Sequence, residues 1–268
     1  MKKNLPKNTS WEHVAGWYDR LLAGGETYQK DLILPNLLRL VAPRKGEAIL
    51  DLACGQGFFS YVFAKSGAWV IGVDASKKLI ELARRYGKAA GERHDAAAAG
   101  GSNPEFRVAK ADDVPFLKNV SVDKIVVVLA IQNIENVASV LKECSRVLKP
   151  GGSVSMVLNH PAFRIPKASA WGWDDLEKVQ YRRIDRYLSE SKAEIQMHPG
   201  TKSSEVTLSF HRPLQFYVKA LAKAGFGVTT LEEWNSNRKS EPGPRAKAED
   251  AARKEIPLFL FIGARKLT

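Results

Sequence analysis

The sequence predicts an open α/β fold with a mostly parallel sheet and helices on both faces. Three observations lead to this prediction. A short apolar strand ends in Asp51 and is followed by a turn that contains Gly55 and Gly57. An apolar helix follows this turn, and a second apolar strand then ends in Asp74. Strand, glycine turn and helix in this order are typical of the first unit of a nucleotide-type site in such a sheet.

Further apolar segments extend the sheet. Residues 106–115 read as a third strand that ends in paired acids. Residues 123–130 are apolar enough to form a fourth strand that is buried on both faces. A helix with an apolar stripe and a Lys-Pro-Gly-Gly turn then lead into a fifth strand at 153–158. These segments complete a cofactor-type core over residues 45–159.

After the fifth strand the pattern changes. Residues 160–212 contain three segments with partial alternation, which predict a small antiparallel sheet with turns at 189–191 and 199–200. Ligands bind at the carboxyl ends of parallel strands, so we expect this β-rich insertion to be a substrate lid. The alternating segments are residues 181–188, 193–197 and 206–210.

The C-terminal part, residues 213–268, is predicted to complete a seven-stranded sheet. Pro213 opens a helix that Gly225 stops, and two further strands follow at 228–234 and 257–264. Between these strands, residues 235–254 are polar and are expected to be flexible.

Four motifs in order carry a resemblance to a known family: DLACGQG (51–57), VIGVDAS (70–76), KADDVP (110–115) and LKPGG (148–152). With them the chain resembles the class I S-adenosylmethionine-dependent methyltransferases, in the branch with small-molecule and quinone-biosynthesis members. The resemblance implies a Rossmann-like sheet and S-adenosylmethionine as the cofactor. In one departure, the first glycine of the family's turn is Ala53 here, the smallest alternative.

The resemblance implies a role for the first two motifs. Asp51 and the backbone of Ala53, Cys54 and Gly55 would hold the amino-acid end of the cofactor. Asp74 would bind the ribose, since a carboxylate at the tip of the second strand can accept both ribose hydroxyl groups.

The remaining cofactor residues follow from the same resemblance. Ala75 would lie against the adenine, and Asp112 or Asp113 with Val114 would recognise its amino group and ring. In the alternative, the two acids only cap a turn. The full set implied to bind the cofactor is Asp51, Ala53, Cys54, Gly55, Gly57, Asp74, Ala75, Asp112, Asp113, Val114, Ala130 and Gln132.

A nicotinamide dehydrogenase is the main rival for a glycine-turn α/β protein. Its fingerprint needs a third glycine where the helix packs on the strand, and Ser60 occupies that position. The acid at Asp51 also suits a ligand with an amino group better than a pyrophosphate. The sequence therefore disfavours a dehydrogenase.

The N-terminal residues 1–44 are predicted to form a helical leader. Thr9 and Ser10 can cap a helix that runs to Leu22, and residues 28–41 form a second helical stretch with a kink near Pro35. Such a leader packs over the cofactor in the resembled family. Tyr18 and Tyr28 are therefore candidate contacts to substrate, with plain packing as the alternative.

Composition limits the class of protein. The chain has 268 residues, of which 44% are hydrophobic and 26% charged, as in ordinary soluble globular proteins. No apolar run is long enough to span a bilayer, and no secretory signal follows Met1. Cys54 and Cys144 have no partners at metal-binding spacing. We therefore expect a cytoplasmic protein without a structural metal.

The formal net charge of +12 raises the possibility of a nucleic-acid partner. However, no block of like charges forms an arm. Residues 130–133 follow the fourth strand and read Ala-Ile-Gln-Asn. They lack the Asn/Asp-Pro-Pro-aromatic tetrad of many enzymes that methylate amino groups of nucleic-acid bases. A nucleic-acid partner remains possible but is disfavoured.

Two histidines are the candidate catalytic residues. His160 directly follows the fifth strand, so its imidazole is expected at the ligand edge, where it could accept a proton from the acceptor. His211 lies at the end of the insertion and is the second choice. In the alternative, both histidines cap turns beside Pro161 and Pro213. Asn133 and Arg212 are candidates to bind the acceptor, Arg212 through an acidic group.

The sequence thus predicts S-adenosylmethionine-dependent methyl transfer to a small organic or metabolite acceptor by in-line displacement. Two alternatives remain: an RNA-directed methyltransferase, and a non-catalytic regulator that binds S-adenosylmethionine. The oligomeric state has no sequence signal.

Overall fold

The structure of the chain is a computed structural model that describes residue 11 and residues 27–91, 103–196 and 206–268. For residues 87–91 it describes only the backbone. The predicted helix between Thr9 and Leu22, with Tyr18, lies outside the described residues, as does the predicted turn at 199–200.

A seven-stranded sheet forms the centre of the molecule, in the order β10-β11-β5-β4-β1-β2-β3. β11 runs antiparallel to both of its neighbours, and the other adjacent pairs are parallel. The predicted seven-stranded, mostly parallel sheet is therefore confirmed. The described strands are β1 (Ala48–Leu52), β2 (Trp69–Asp74), β3 (Glu105–Val108), β4 (Val122–Val128), β5 (Leu148–Asn159), β6 (Ser169–Asp174), β7 (Val179–Ile184), β8 (Ser191–Gln196), β9 (Val206–His211), β10 (Phe226–Trp234) and β11 (Phe259–Lys266).

Helices cover both faces of this sheet. Alternate residues of β4 show why: Val126 belongs to the core under one helical layer and Val127 to the core under the other, and both are buried. The described α-helices are α1 (Leu34–Val41), α2 (Phe58–Ala64), α3 (Lys77–Gly91), α4 (Val137–Val147), α5 (Leu214–Lys223) and α6 (Ala246–Glu255). None of the helices in the described part of the chain is both long and apolar enough to cross a membrane.

The predicted helical stretch at 28–41 is present, but its irregular part precedes the proline. A π-helical turn, Gln29–Ile33, leads into α1, and Pro35 lies in the first turn of α1. Proline is tolerated there because the first backbone N–H groups of a helix have no intrahelical partner.

The insertion differs from the prediction. Instead of one small sheet it forms two separate hairpins, β6–β7 and β8–β9. The sequence pattern missed β6, where Trp171 and Trp173 alternate around a glycine. The turn expected at 189–191 therefore lies between the two hairpins and does not join strands of one sheet.

Residues 235–254 were expected to be flexible, and this is wrong for their second half. Residues 246–255 form α6, which contacts β7, and Arg245 stacks on Trp173 at 4.5 Å. The Asp250 carboxylate also accepts the backbone N–H of Ser240 at 2.7 Å. This helix is polar on most sides, so its sequence lacks an apolar stripe.

Candidate active site

A cavity of about 670 Å³ lies at the carboxyl ends of β1, β2 and β4. Parallel strands end at the same edge of the sheet, which brings the residues after these strands together. Of the predicted cofactor residues, those that line the cavity are Asp51, Ala53, Cys54, Gly55, Asp74, Ala75, Asp112 and Ala130. Of the predicted substrate residues, Asn133 lines it.

The turn after β1 requires unusual backbone torsions. Ala53, Gly55 and Gly57 have φ angles of 59°, 58° and 79°. Gly57 lies behind the cavity wall, where a Cβ atom would be 2.6 Å from the ring of Phe106. Packing therefore requires a glycine at position 57. Ala53 adopts the same left-handed torsion with a side chain, at a cost of about 1 kcal/mol.

The Asp74 carboxylate is fixed in orientation by the backbone. One oxygen accepts the N–H of Gly55 at 3.0 Å, and the other accepts the N–H of Ser76 at 2.8 Å. Asp74 is half-buried at the cavity wall, and a carboxylate has about four acceptor positions. The carboxylate is therefore presented to the cavity in a fixed orientation, as an acceptor for hydroxyl groups of a ligand.

Asp51 is a buried carboxyl group at the same wall, with 1% of its surface exposed. Burial raises its pKa to about 7; the hydroxyl of Ser60, which donates to Asp51 Oδ2 at 2.5 Å, opposes the shift, and the negative charge of Asp74 adds to it. An acid with this pKa is stabilised in its charged form by a nearby cation. The site is therefore suited to an ammonium group.

Cys54 lines the same cavity as these two carboxyl groups. Burial and the charges of Asp51 and Asp74 raise the pKa of its thiol well above the usual value. The thiol therefore stays protonated and is a poor nucleophile.

The two acids of the third motif have different surroundings. Asp112 lines the cavity, whereas Asp113 is exposed and its N–H donates to the carbonyl of Lys110. Val114 is fully buried in the core behind the turn. Its N–H donates to Glu143 Oε1 at 2.9 Å.

Sequence reasoning missed Glu143, which holds this turn from α4. Arg146 donates to both Glu143 oxygens, at 2.8 and 2.6 Å, and holds the pKa of the Glu143 carboxyl below its usual value. Arg146 also donates to the carbonyls of Val114 and Leu117. The sequence pattern that could have revealed Glu143 is an acid and a base three residues apart on one face of a helix.

The turn after β4 is held by side-chain amides. The carbonyl of Leu129 accepts Gln132 Nε2 at 2.9 Å and Asn133 Nδ2 at 3.3 Å. Leu129 itself has a φ of 53°. Ala130 and Asn133 face the cavity, but Gln132 is buried behind it. Gln132 thus supports the turn and does not line the main cavity.

Arg212 and Tyr28, predicted to contact substrate, do not line this cavity. Arg212 is 4% exposed and donates to the carbonyl of Glu135, a residue of the cavity wall, at 2.6 Å. Tyr28 forms a hydrogen bond with Ser236 Oγ at 2.8 Å, and Arg238 stacks on its ring. The packing alternative therefore describes Tyr28, and Tyr18 is not described.

The structure places His160 away from the cavity. Its Nδ1 accepts the N–H of Ala162 at 3.2 Å, so Nε2 carries the proton and donates to Glu233 Oε1 at 2.6 Å. Burial lowers the pKa of its imidazole, although Glu233 opposes this shift. Both ring nitrogens are engaged by protein groups, and the ring does not line the cavity. These contacts favour the structural alternative for His160, and its catalytic role stays a prediction.

His211 is also engaged by the protein. Its Nε2 donates to the carbonyl of Tyr187 at 2.7 Å, and the residue does not line the main cavity. This contact connects β9 to the segment before β8. The structural alternative therefore fits both histidines better than a role in proton transfer.

Sequence reasoning also missed two apolar residues of the cavity wall. Leu208 and Phe210 of β9 line the cavity, and β9 contacts the 3-10 turn at residues 131–133. Residues two apart on a strand share a face, so the apolar pattern of residues 206–210 was their signal.

Comparison with known proteins agrees with this geometry. Residues 50–156 match a family described as "Methyltransferase domain". The demethylmenaquinone methyltransferase of Clavibacter sepedonicus is 34% identical over 57% of this chain and 58% of the relative. The ubiquinone biosynthesis O-methyltransferase of Xylella fastidiosa is 28% identical over 52% of each chain. The chain thus spans little more than half the length of these curated relatives.

Solved structures are similar over more of the chain. An S-adenosylmethionine-dependent methyltransferase from Mesorhizobium loti is 25% identical, with a TM-score of 0.68 over 90% of this chain and all of that one. A structure from Listeria monocytogenes, at 23% identity and a TM-score of 0.60 over 83% of this chain and 92% of that one, has the same fold. Residues 50–156 thus match a methyltransferase domain, and the described sheet, with two carboxylates at its strand tips, is similar to solved structures of S-adenosylmethionine-dependent methyltransferases.

Proposed function

We propose that this protein transfers a methyl group from S-adenosylmethionine to a small organic acceptor. The observation that carries the proposal is the pair Asp51 and Asp74 at the tips of adjacent strands, facing one cavity. Asp51 is buried with a raised pKa and favours a cation, and the Asp74 carboxylate lies at the cavity wall in an orientation that two backbone N–H groups fix. An amino group and a ribose diol match these two carboxyl groups.

The cavity also fits the rest of the cofactor. Its volume of about 670 Å³ lies within the range of small-molecule sites. Ala75 and Asp112 lie on the wall next to Asp74 and would hold the adenine. The left-handed turn at Ala53 and Gly55 keeps side chains away from the path of the amino-acid end. When bound, S-adenosylmethionine supplies an activated methyl group on a sulfonium.

The protein's own contribution is to align the acceptor and exclude water. Asn133, Leu208 and Phe210 line the part of the cavity formed by the β4 turn and β9. The two apolar side chains exclude water, and the Asn133 amide can orient a polar acceptor group. We assign no side chain as a general base, since an acidic acceptor can react as its anion.

We also propose that the insertion acts as a lid through its second hairpin. Leu208 and Phe210 of β9 contribute to the cavity wall, whereas β7 of the first hairpin contacts α6. The curated relatives are named for demethylmenaquinone and ubiquinone biosynthesis, and these names favour an aromatic acceptor for this apolar wall. The lid would therefore select an apolar ring.

Titration calorimetry with S-adenosylmethionine tests the cofactor assignment. The Asp74→Ala variant should lose about 2–4 kcal/mol of binding free energy, because it loses two charge-assisted hydrogen bonds that are not fully additive. Asp175→Asn alters an exposed acid in the turn between β6 and β7 and serves as the matched control. Unchanged affinity in Asp74→Ala would refute the assignment. Mass spectrometry after incubation with labelled cofactor and cell extract would then identify the methylated product.

A further inference from the structure

A second, much smaller cavity of about 30 Å³ lies behind the main one. Phe210 lines both cavities, and Gln132 in the second is adjacent in sequence to Asn133 in the first. The second cavity is also lined by Arg164 and Arg212. Phe210 and the turn at residues 132–133 thus border both spaces.

This small cavity collects polar atoms without partners. Arg212 Nη1, Arg164 Nε and Gln132 Oε1 are buried and form no hydrogen bond within the described ranges. They are three of the five such side-chain atoms in the described part of the chain. Arg212 is 4% exposed and Gln132 is 7% exposed. An unpaired buried polar atom costs about 1–3 kcal/mol, so this concentration points to a ligand.

The charge around the cavity is positive. The Arg212 guanidinium has one carboxylate nearby, the largely exposed Glu190, at 3.8 Å from its Nε. No carboxylate among the described residues lies within 4 Å of Arg164, whose pKa is lowered to about 10 by burial and by the charge of Arg182. Positive charge that is partly buried without a partner is costly, and an anion at this place would remove the cost.

We propose that the second cavity binds the carboxylate group of the methyl acceptor. This inference rests on the proposed function and specifies its substrate class as an aromatic or other apolar acid. One water needs about 10–15 Å³, so about 30 Å³ has room for the two oxygens of a carboxylate. The apolar body of the acceptor would lie beside Leu208 and Phe210, with its carboxylate extending past Phe210 to Arg164 and Arg212.

Both guanidinium groups stack on aromatic rings. Arg212 lies between the rings of Phe210 and Phe216, at 5.0 and 5.1 Å. Arg164 stacks on Trp171 at 5.5 Å. Stacking fixes the planes of the guanidinium groups while leaving N–H donors free, which suits recognition of a planar carboxylate.

Calorimetry with benzoate and its uncharged analogue benzamide tests this proposal. Both probes are titrated into the full chain, with and without saturating S-adenosylhomocysteine, the demethylated product of the cofactor. We expect benzoate to bind about tenfold or more tightly than benzamide, because charge-assisted hydrogen bonds contribute roughly 1.5–3 kcal/mol each. Arg164→Gln and Arg212→Gln should each remove most of this preference. Arg183→Gln, at an exposed arginine paired with Asp185, is the control that should retain it.

Equal binding of benzoate and benzamide to the unaltered protein would overturn the proposal. The second cavity would then be interpreted as a site for water. A preference that survives both substitutions would also overturn the proposal. The affinity of each variant for S-adenosylhomocysteine reports whether its fold is intact. If Arg212→Gln no longer binds S-adenosylhomocysteine, the benzoate preference of Arg164→Gln, a change at a half-buried residue, tests the proposal. If the unaltered protein binds S-adenosylhomocysteine but shows no preference, only this inference fails. If it does not bind S-adenosylhomocysteine, the proposed function fails instead.

Discussion

Replacing Asp51 by asparagine should stabilise the ligand-free protein and weaken cofactor binding. The carboxyl group is buried at the cavity wall, and burial raises its pKa from 3.8 to about 7. Asparagine has nearly the same shape, and its carbonyl oxygen can still accept the hydroxyl of Ser60. The substitution thus removes the charge and keeps the packing.

The size of the effect follows from the two pKa values. The folded state binds the proton more tightly than the unfolded chain, so Asp51 lowers stability progressively as pH rises from about 4 to 7, and by a constant amount above that. A difference of about three pKa units corresponds to at most about 4 kcal/mol at pH 8. At pH 5 the loss is less than half of this, about 1–2 kcal/mol, because the folded-state carboxyl is still protonated. Asp51→Asn should recover these amounts.

Thermal unfolding without ligand at pH 5 and pH 8 measures this. For a chain of this size, each kcal/mol raises the midpoint by about 2–4 °C, so we expect a gain of several degrees at pH 8 and less than half of it at pH 5. Asp113→Asn, at an exposed acid, should show neither change. A gain of equal size at both pH values, or a loss at pH 8, would refute the reasoning.

The same charge should link cofactor binding to protons. An ammonium group beside Asp51 lowers the pKa of its carboxyl, so binding near pH 6.5 should release protons and affinity should fall as pH falls below about 7. Calorimetry in buffers with different ionisation enthalpies measures the release. Asp51→Asn should bind more weakly and release none; proton release that persists in this variant would assign the effect to another group.

Three further predictions concern other parts of the site. Gly57→Ala should lower the free energy of unfolding by about 1–3 kcal/mol more than Gly46→Ala does. Both glycines have a left-handed φ, but only at Gly57 would a Cβ meet Phe106. Equal losses in thermal unfolding would show that the torsion, and not the clash, matters. Glu143→Gln weakens the contact to Arg146 and should reduce cofactor affinity several-fold in calorimetry, with little change in fold by circular dichroism; unchanged affinity would contradict a positioning role. Transfer RNA should bind only weakly and release near physiological salt in a filter-binding titration; saturable submicromolar binding there would favour an RNA substrate.

Local sequence patterns predicted the sheet well because its strands are short, apolar and end in recognisable turns. Asp51 and Asp74 could be placed at one edge because parallel strands align their carboxyl ends. The direction of the His160 side chain could not be predicted from the sequence, because its partner Glu233 is on a strand far away along the chain. The hairpin pairings and α6 depended in the same way on contacts between segments far apart in sequence, such as Arg245 with Trp173.

The reversed direction of β11 has a consequence for how this architecture can change. Trp234 and Asn159 both pair with Phe259, so β5 and β10 end, and β11 begins, at the edge of the sheet that carries the cavity. Residues 235–258 therefore leave and re-enter the sheet at this edge, and residues 160–212 leave it at the same edge. Lengthening either connection costs little loop entropy and disturbs no strand pairing. Exchanging these two segments between related proteins should thus alter acceptor preference while the half of the sheet that carries Asp51 and Asp74 stays unchanged.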